Sequence, residues 1–164
     1  MSNTTEQLLR QATISTFENL AFLCLEDDNA VSADEPPVDA VVAVDFHGPM
    51  RGRLVLRTSS NLLPVIASNM MGEDEAQRMP MQRDALGEIA NVVCGNLMPM
   101  LVGAEAVFRL DAPHWGTETT DVRSSDTPVS SVRFDVEGGR AQAELYVFAG
   151  RDWLDAARLA HATA

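Results

Sequence analysis

The sequence contains no lysine: all 12 basic residues are arginine, against 24 Asp and Glu, which gives 164 residues a formal net charge of -12. Nucleic acids and anionic bilayers are bound by neutralising phosphates with Lys and Arg, so this balance opposes both partners at long range. Arg51, Arg53 and Arg57 do cluster, but they alternate with apolar residues and read as one exposed strand face. A phosphate loop that ends on Lys is excluded outright. Cysteine is almost as scarce. Cys24 and Cys94 lie far apart among apolar neighbours, which fits two packed, reduced thiols of a cytoplasmic protein and offers neither a disulfide framework nor a Cys-x-x-Cys pair.

No uninterrupted apolar run approaches the ~18–20 residues of a membrane span. The opening Met1-Ser2-Asn3-Thr4-Thr5-Glu6 lacks the basic and apolar regions of a secretory signal. His47, His114 and His161 have no Asp or Cys at metal-ligand spacing, so no metal is expected and structural histidines are the simpler reading. Glu26-Asp27-Asp28 lacks the glycine and spacing of a calcium loop.

What remains is an acidic chain of ordinary hydrophobic content, 46%, expected to fold as one domain over residues 1–164. Leu8, Leu9, Ala12, Phe17, Leu20, Ala21 and Leu25 recur near helical spacing and predict a helix over 6–25. After the Pro36-Pro37 loop, 38–46 and 51–58 alternate as two strands of a hairpin, with Gly48-Pro49 as punctuation. Ser59, Ser60 and Asn61 offer N-caps for a helix over 62–71 closed by Gly72; an acidic linker, 73–79, then leads to a long helix over 81–101. A strand over 104–111, a polar loop over 112–127, a hairpin 129–137/140–148 across Gly138-Gly139 and a helix over 153–161 complete the chain. Trp115, in the polar loop, reads as a core residue. This order predicts an α+β fold, with two long helices packed on a mostly antiparallel sheet.

The helix over 81–101 carries the functional signal. On a helical wheel Ala85, Leu86, Ile89, Ala90, Val92, Val93, Cys94 and Leu97 share an apolar arc, and Asp84, Gly87, Glu88, Asn91 and Gly95 line the opposite one. A merely solvated face would be filled with Glu, Lys, Arg and Gln. Gly87, Asn91 and Gly95 instead lower helix propensity by about 2–3 kcal/mol together. Small residues flanking a carboxylate and an amide mark a close approach, either by another part of the fold or by a ligand.

Asp84-Ala85-Leu86-Gly87-Glu88-Ile89-Ala90-Asn91, followed by Gly95-Asn96 and by Pro113, 22 positions after Asn91, resembles the signature helix of the CheX/CheC/FliY chemotaxis phosphatases, and CheX most. The strand-turn-strand from Phe46 to Leu56 and the helix end Asn69-Met70-Met71-Gly72 resemble that family as well, so the likeness is strongest over 38–150. The resemblance implies hydrolysis of the aspartyl phosphate on a CheY-type response regulator. Glu88 and Asn91 would be the catalytic pair, Asn91 holding a water in line with the phosphorus and Glu88 pairing with a receiver lysine. Asp84, Gly87, Gly95 and Pro113 would be contacts around them; Asp84 also reads as an N-terminal acid on the helix dipole, and Pro113 as a shaper of the adjoining loop. It further implies Mg²⁺ supplied by the receiver rather than a cofactor of the chain's own, and a homodimer joined through the sheets. Pro99 departs from a regular helix and should kink or end it near Leu97 or Met98. The first helix lacks Glu-x-x-Asn spacing, so a second site is not expected. Two alternatives are a CheX-like module that binds a receiver without catalysis and a dimerisation domain with no receiver contact. Keeping both Glu88 and Asn91 argues against the first, and the cost in helix propensity against the second.

Overall fold

A computed structural model of the chain describes residues 4–27, 37–76, 78–116 and 127–155. Helix α1 (Thr4–Thr16) runs into a π-helical turn, Phe17–Ala21, and then into the short strand β1 (Leu25–Asp27). The β2 (Ala40–His47) and β3 (Arg51–Thr58) hairpin leads through a 3₁₀ turn, Ser60–Leu62, into α2 (Leu63–Met71), α3 (Glu73–Ala76) and α4 (Met79–Val102). Two-residue strands β4 (Arg109–Leu110) and β5 (His114–Trp115) follow, then the β6 (Ser130–Val136) and β7 (Gly139–Ala149) hairpin; residues 151–155 are helical. The segment 28–36, most of the loop 112–127 and the rest of the predicted last helix lie outside the described residues.

The sheet order is β1-β6-β7-β3-β2-β4 with β5 also on β2, and among the described residues every pairing is antiparallel. Register dictates the two faces. Val42, Val44 and Phe46 stand with Leu54, Leu56, Ala143, Leu145, Val132 and Phe134 on the face that meets Leu9, Ala12, Leu86, Ile89, Val93 and Leu97 of α1 and α4. Burying an apolar side chain of this size contributes about 1.5–3 kcal/mol, so this layer is what holds α4 in place. By length and composition alone α4 could cross a membrane, but its apolar arc is occupied by the sheet.

Several sequence expectations need correction. The first helix does not reach Leu25: Phe22 takes a positive φ of 54°, ends the π turn, and turns Leu25 out to pair with Val136 at the sheet edge. Apolar spacing in a window this short fits a helix end or a turn plus strand equally well. Cys24 is exposed; Cys94 is buried, its thiol pushed up to about 12 by burial and by the Asp45 charge. Nor are the three arginines one exposed face. Arg53 is only 3% exposed, and its Nε and Nη2 donate to both oxygens of Asp45 at 2.5 and 3.1 Å; Arg57 Nε donates to Glu144, which also accepts from Tyr146 Oη. Burial raises the Asp45 pKa, but the hydrogen bonds and charge of Arg53, with His114 and His47 behind them, bring it below the ordinary carboxylate value.

Ser59, Ser60 and Asn61 make no side-chain cap. Ser59 Oγ accepts from Arg140 N–H, Ser60 donates twice to Asp39, and Asn61 Nδ2 donates to the Gly138 carbonyl, so the run ties the start of α2 to β2 and to the β6–β7 turn. That turn is Glu137-Gly138, with Gly138 at φ 80° and Gly139 already in strand register with Val136. The linker 73–79 contains α3, and the strand expected over 104–111 shrinks to Arg109–Leu110.

Candidate functional site

Helix α4 is 24 residues long and passes through Pro99 without ending. Pro99 falls in the last turn, where the only intrahelical bond it forfeits is to Gly95; Gly95 is exposed, and water can satisfy its carbonyl. Gly103 closes the helix, its N–H donating to the Pro99 carbonyl at 2.9 Å. The end expected near Leu97 or Met98 is therefore not found, and α4 continues to Val102.

The wheel holds residue by residue, with one exception. Ala85, Leu86, Ile89, Ala90, Val93, Cys94 and Leu97 are buried, Val92 is half-buried, Asp84, Glu88 and Gly95 are exposed, and Asn91 is half-buried. Gly87 is the exception: it is buried, because the loop between β4 and β5 crosses the helix there. A Cβ placed on Gly87 would lie 3.2 Å from Pro113 Cβ, and one on Gly95 3.7 Å from Leu110 Cδ1. The close approach at Gly87 is thus made by the chain's own Pro113, whereas at the exposed Gly95 Leu110 lies at ordinary contact distance. Pro113 is exposed on its outer side and forms a wall beside the Glu88–Asn91 ridge.

That wall is held from both directions. Towards the helix, Trp115 Nε1 donates to the Arg83 carbonyl at 3.3 Å and the Arg83 guanidinium lies 5.4 Å from the Trp115 ring centroid. Trp115 is half-buried against the core, so it supports the loop as well as filling space. Towards the sheet, Phe46 packs edge-on to Phe108 at 6.1 Å and the Asp111 N–H donates to the Asp45 carbonyl at 2.9 Å.

Among the described residues, Glu88 and Asn91 have no hydrogen-bond or ion-pair partner. Their positions one turn apart put a carboxylate and a carboxamide side by side, free to engage something outside the chain. Asp84 is exposed and begins the same line, but it sits beyond the first turn of a helix that starts at Met79, where a helix dipole acts weakly. No cluster of three or more His, Cys, Asp or Glu suited to a metal occurs among the described residues.

The family described as "Chemotaxis phosphatase CheX" matches residues 40–134. The chain belongs to the CheX family. Solved CheX structures share its fold: CheX from Vibrio vulnificus, at 19% identity and a TM-score of 0.68, covers 90% of this chain and 100% of its own. CheX from Desulfovibrio desulfuricans gives 16% and 0.67, over 88% and 99%. A CheX–CheY–BeF₃–Mg²⁺ complex from Borrelia burgdorferi gives 15% and 0.63, over 87% and 97%. At these identities the likeness establishes the fold. No match was found among curated protein sequences.

Within the CheX fold the Gly87–Pro113 contact can be tested directly. Gly87→Ala adds about 1 kcal/mol of helix propensity, but forces Pro113 to give by a few tenths of an ångström. The expected result is a folded protein with a thermal midpoint within a few degrees of wild type, the gain in propensity and the displacement of Pro113 opposing each other. A midpoint lowered by about 10 °C or more would show that Pro113 cannot give way.

Proposed function

We propose that this CheX-family protein hydrolyses the aspartyl phosphate of a CheY-type response regulator. The observation that carries the reading is the unpartnered Glu88–Asn91 pair on the exposed ridge of α4, walled by Pro113. An acyl phosphate is already activated, and the receiver supplies the Mg²⁺ that neutralises its charge, so what the reaction lacks is a positioned water. Asn91 supplies that position. Its carboxamide oxygen accepts a hydrogen bond from the water and leaves an oxygen lone pair aimed at the phosphorus, opposite the leaving aspartate. Water adds its oxygen to the phosphoryl group, the aspartyl P–O bond breaks, and inorganic phosphate and a free receiver carboxylate result.

Glu88 docks the helix through a charge-assisted pair with a receiver lysine, which fits a chain with no lysine of its own. Asp84 is a peripheral contact, while Gly87, Gly95 and Pro113 set how closely the helix and its wall meet the partner. On this reading the chain is one CheX-like domain over 1–164, acts in the cytoplasm on its receiver, forms a homodimer through the sheet, needs no metal of its own, and binds neither nucleic acid nor membrane.

The test is release of inorganic phosphate from a panel of phosphorylated receiver domains with and without the protein. Acceleration on at least one receiver is expected; binding without acceleration would assign the chain to docking alone. Glu88→Ala should weaken receiver binding about tenfold, the worth of one charge-assisted hydrogen bond, with a smaller effect on the rate at saturating receiver. A tenfold fall in the saturated rate with unchanged affinity would move Glu88 from docking to chemistry.

A further inference from the structure

His47 and His114 have no part in the reaction above, yet both join β2 to the segment that walls the site. At one end of the Asp111–Pro113 loop, His47 Nε2 lies 2.8 Å from Asp111 Oδ2; at the other, His114 Nε2 lies 3.6 Å from Asp45 Oδ2. The Asp111 N–H bond to the Asp45 carbonyl fastens the same end that His47 holds. Pro113 stands between the two pairs and meets Gly87. Two imidazole–carboxylate pairs thus bracket the residue that touches the site helix.

We propose that His47 and His114 are positioning residues that clamp Pro113 against Gly87, and that the clamp tightens when the imidazoles are charged. The surrounding groups fit this. His47 faces Asp111 and stands in register with Arg109, whose Nε lies 3.8 Å from Asp111 Oδ1. His114 stands in register with Ala43 and faces Asp45, which Arg53 holds from β3 and which stays ionised because its pKa is lowered. From α4, Cys94 senses the Asp45 charge and stays neutral, since burial pushes its thiol up to about 12. A protonated imidazole turns each of these contacts into an ion pair. The consequence for receiver binding rests on the proposed phosphatase reading; the clamp itself does not.

The experiment follows the Gly87 amide and both imidazole resonances by NMR on the full chain from about pH 8 to about pH 5.5, in wild type, in H47Q/H114Q and in Asp111→Asn. All these side chains are partly exposed, so the variants should fold. In wild type the Gly87 resonance should shift with the imidazoles; in H47Q/H114Q it should be flat, and in Asp111→Asn it should lose the part that follows His47. A wild-type Gly87 signal that ignores pH, or one that drifts identically in H47Q/H114Q, overturns the proposal. A second arm measures affinity for a receiver activated with beryllofluoride and Mg²⁺. Between the same limits wild type should gain about threefold relative to H47Q/H114Q, the scale of exposed ion pairs. Equal pH dependence in both overturns the functional consequence. A wild type that shows the Gly87 titration yet binds no receiver at any pH supports the clamp and overturns the phosphatase reading.

Discussion

On the proposed phosphatase reading, Asn91→Ala is expected to remove about 100-fold or more of the acceleration of receiver dephosphorylation and to leave the fold intact. The fold should not notice the change, because the Asn91 side chain is half-buried on the outer ridge with no hydrogen-bond partner among the described residues. Alanine is also the better helix former, so the thermal midpoint should stay level or rise slightly. The rate should fall because the chain contributes no nucleophile to this step. An ordered water in line with the phosphorus is worth much of the barrier, and removal of a single preorganised polar group from a reacting centre typically costs 10²–10³-fold. Asn91→Asp sharpens the test: it matches the amide in size but brings a negative charge beside the phosphoryl oxygens, and should be as slow as alanine. Phosphate release under single-turnover conditions, with receiver affinity measured separately, distinguishes lost chemistry from lost docking. Wild-type rates from Asn91→Ala would sink the mechanism while leaving membership of the CheX family untouched.

The helix that carries Asn91 was legible because its periodicity is long. Across 79–102 the apolar arc repeats often enough to fix which side is buried, and the glycines on the far side stand out against helix propensity. What filled the space beside those glycines was not legible. Gly87 could have admitted a partner, a helix or a loop; the answer, Pro113, comes from a segment whose two strands are two residues each, too short for any alternation to show. The same limit explains the ending of the first helix, where Leu20, Ala21 and Leu25 suit a helical stripe and a turn into an edge strand alike. The arginines on β3 misled for a different reason. Alternation places Arg53 on the outer face correctly, but only the register with Asp45 shows that this face is buried there and its charge paired. In each case local pattern settled the element, and pairing across the sheet settled what it faces.

Gly52 extends that lesson into the largest stability effect expected for this chain. It lies inside β3, within the strand expected over 51–58, opposite Phe46 on one side and Val147 on the other. Register slips between Arg51 and Gly52, leaving Phe148 as the extra residue of β7, and β7 presses its backbone inward. A Cβ on Gly52 would fall 2.0 Å from the Tyr146 carbonyl oxygen and 2.6 Å from Phe46 Cζ. Side chains can turn aside, but a carbonyl fixed in a central ladder cannot. Gly52→Ala should therefore cost about 3 kcal/mol or more, at the upper end of overpacking, and lower the thermal midpoint by about 10 °C. Adding Phe46→Leu separates the two obstacles. If the carbonyl dominates, the shorter side chain leaves the loss in place; full recovery in the double variant would show that the ring was the obstacle and that β7 can yield. The loss should also reach the site. Phe46 pairs with Leu110 and packs on Phe108, so a β2–β3 ladder forced apart at Gly52 moves the strand against which Pro113 and the ridge of α4 are set.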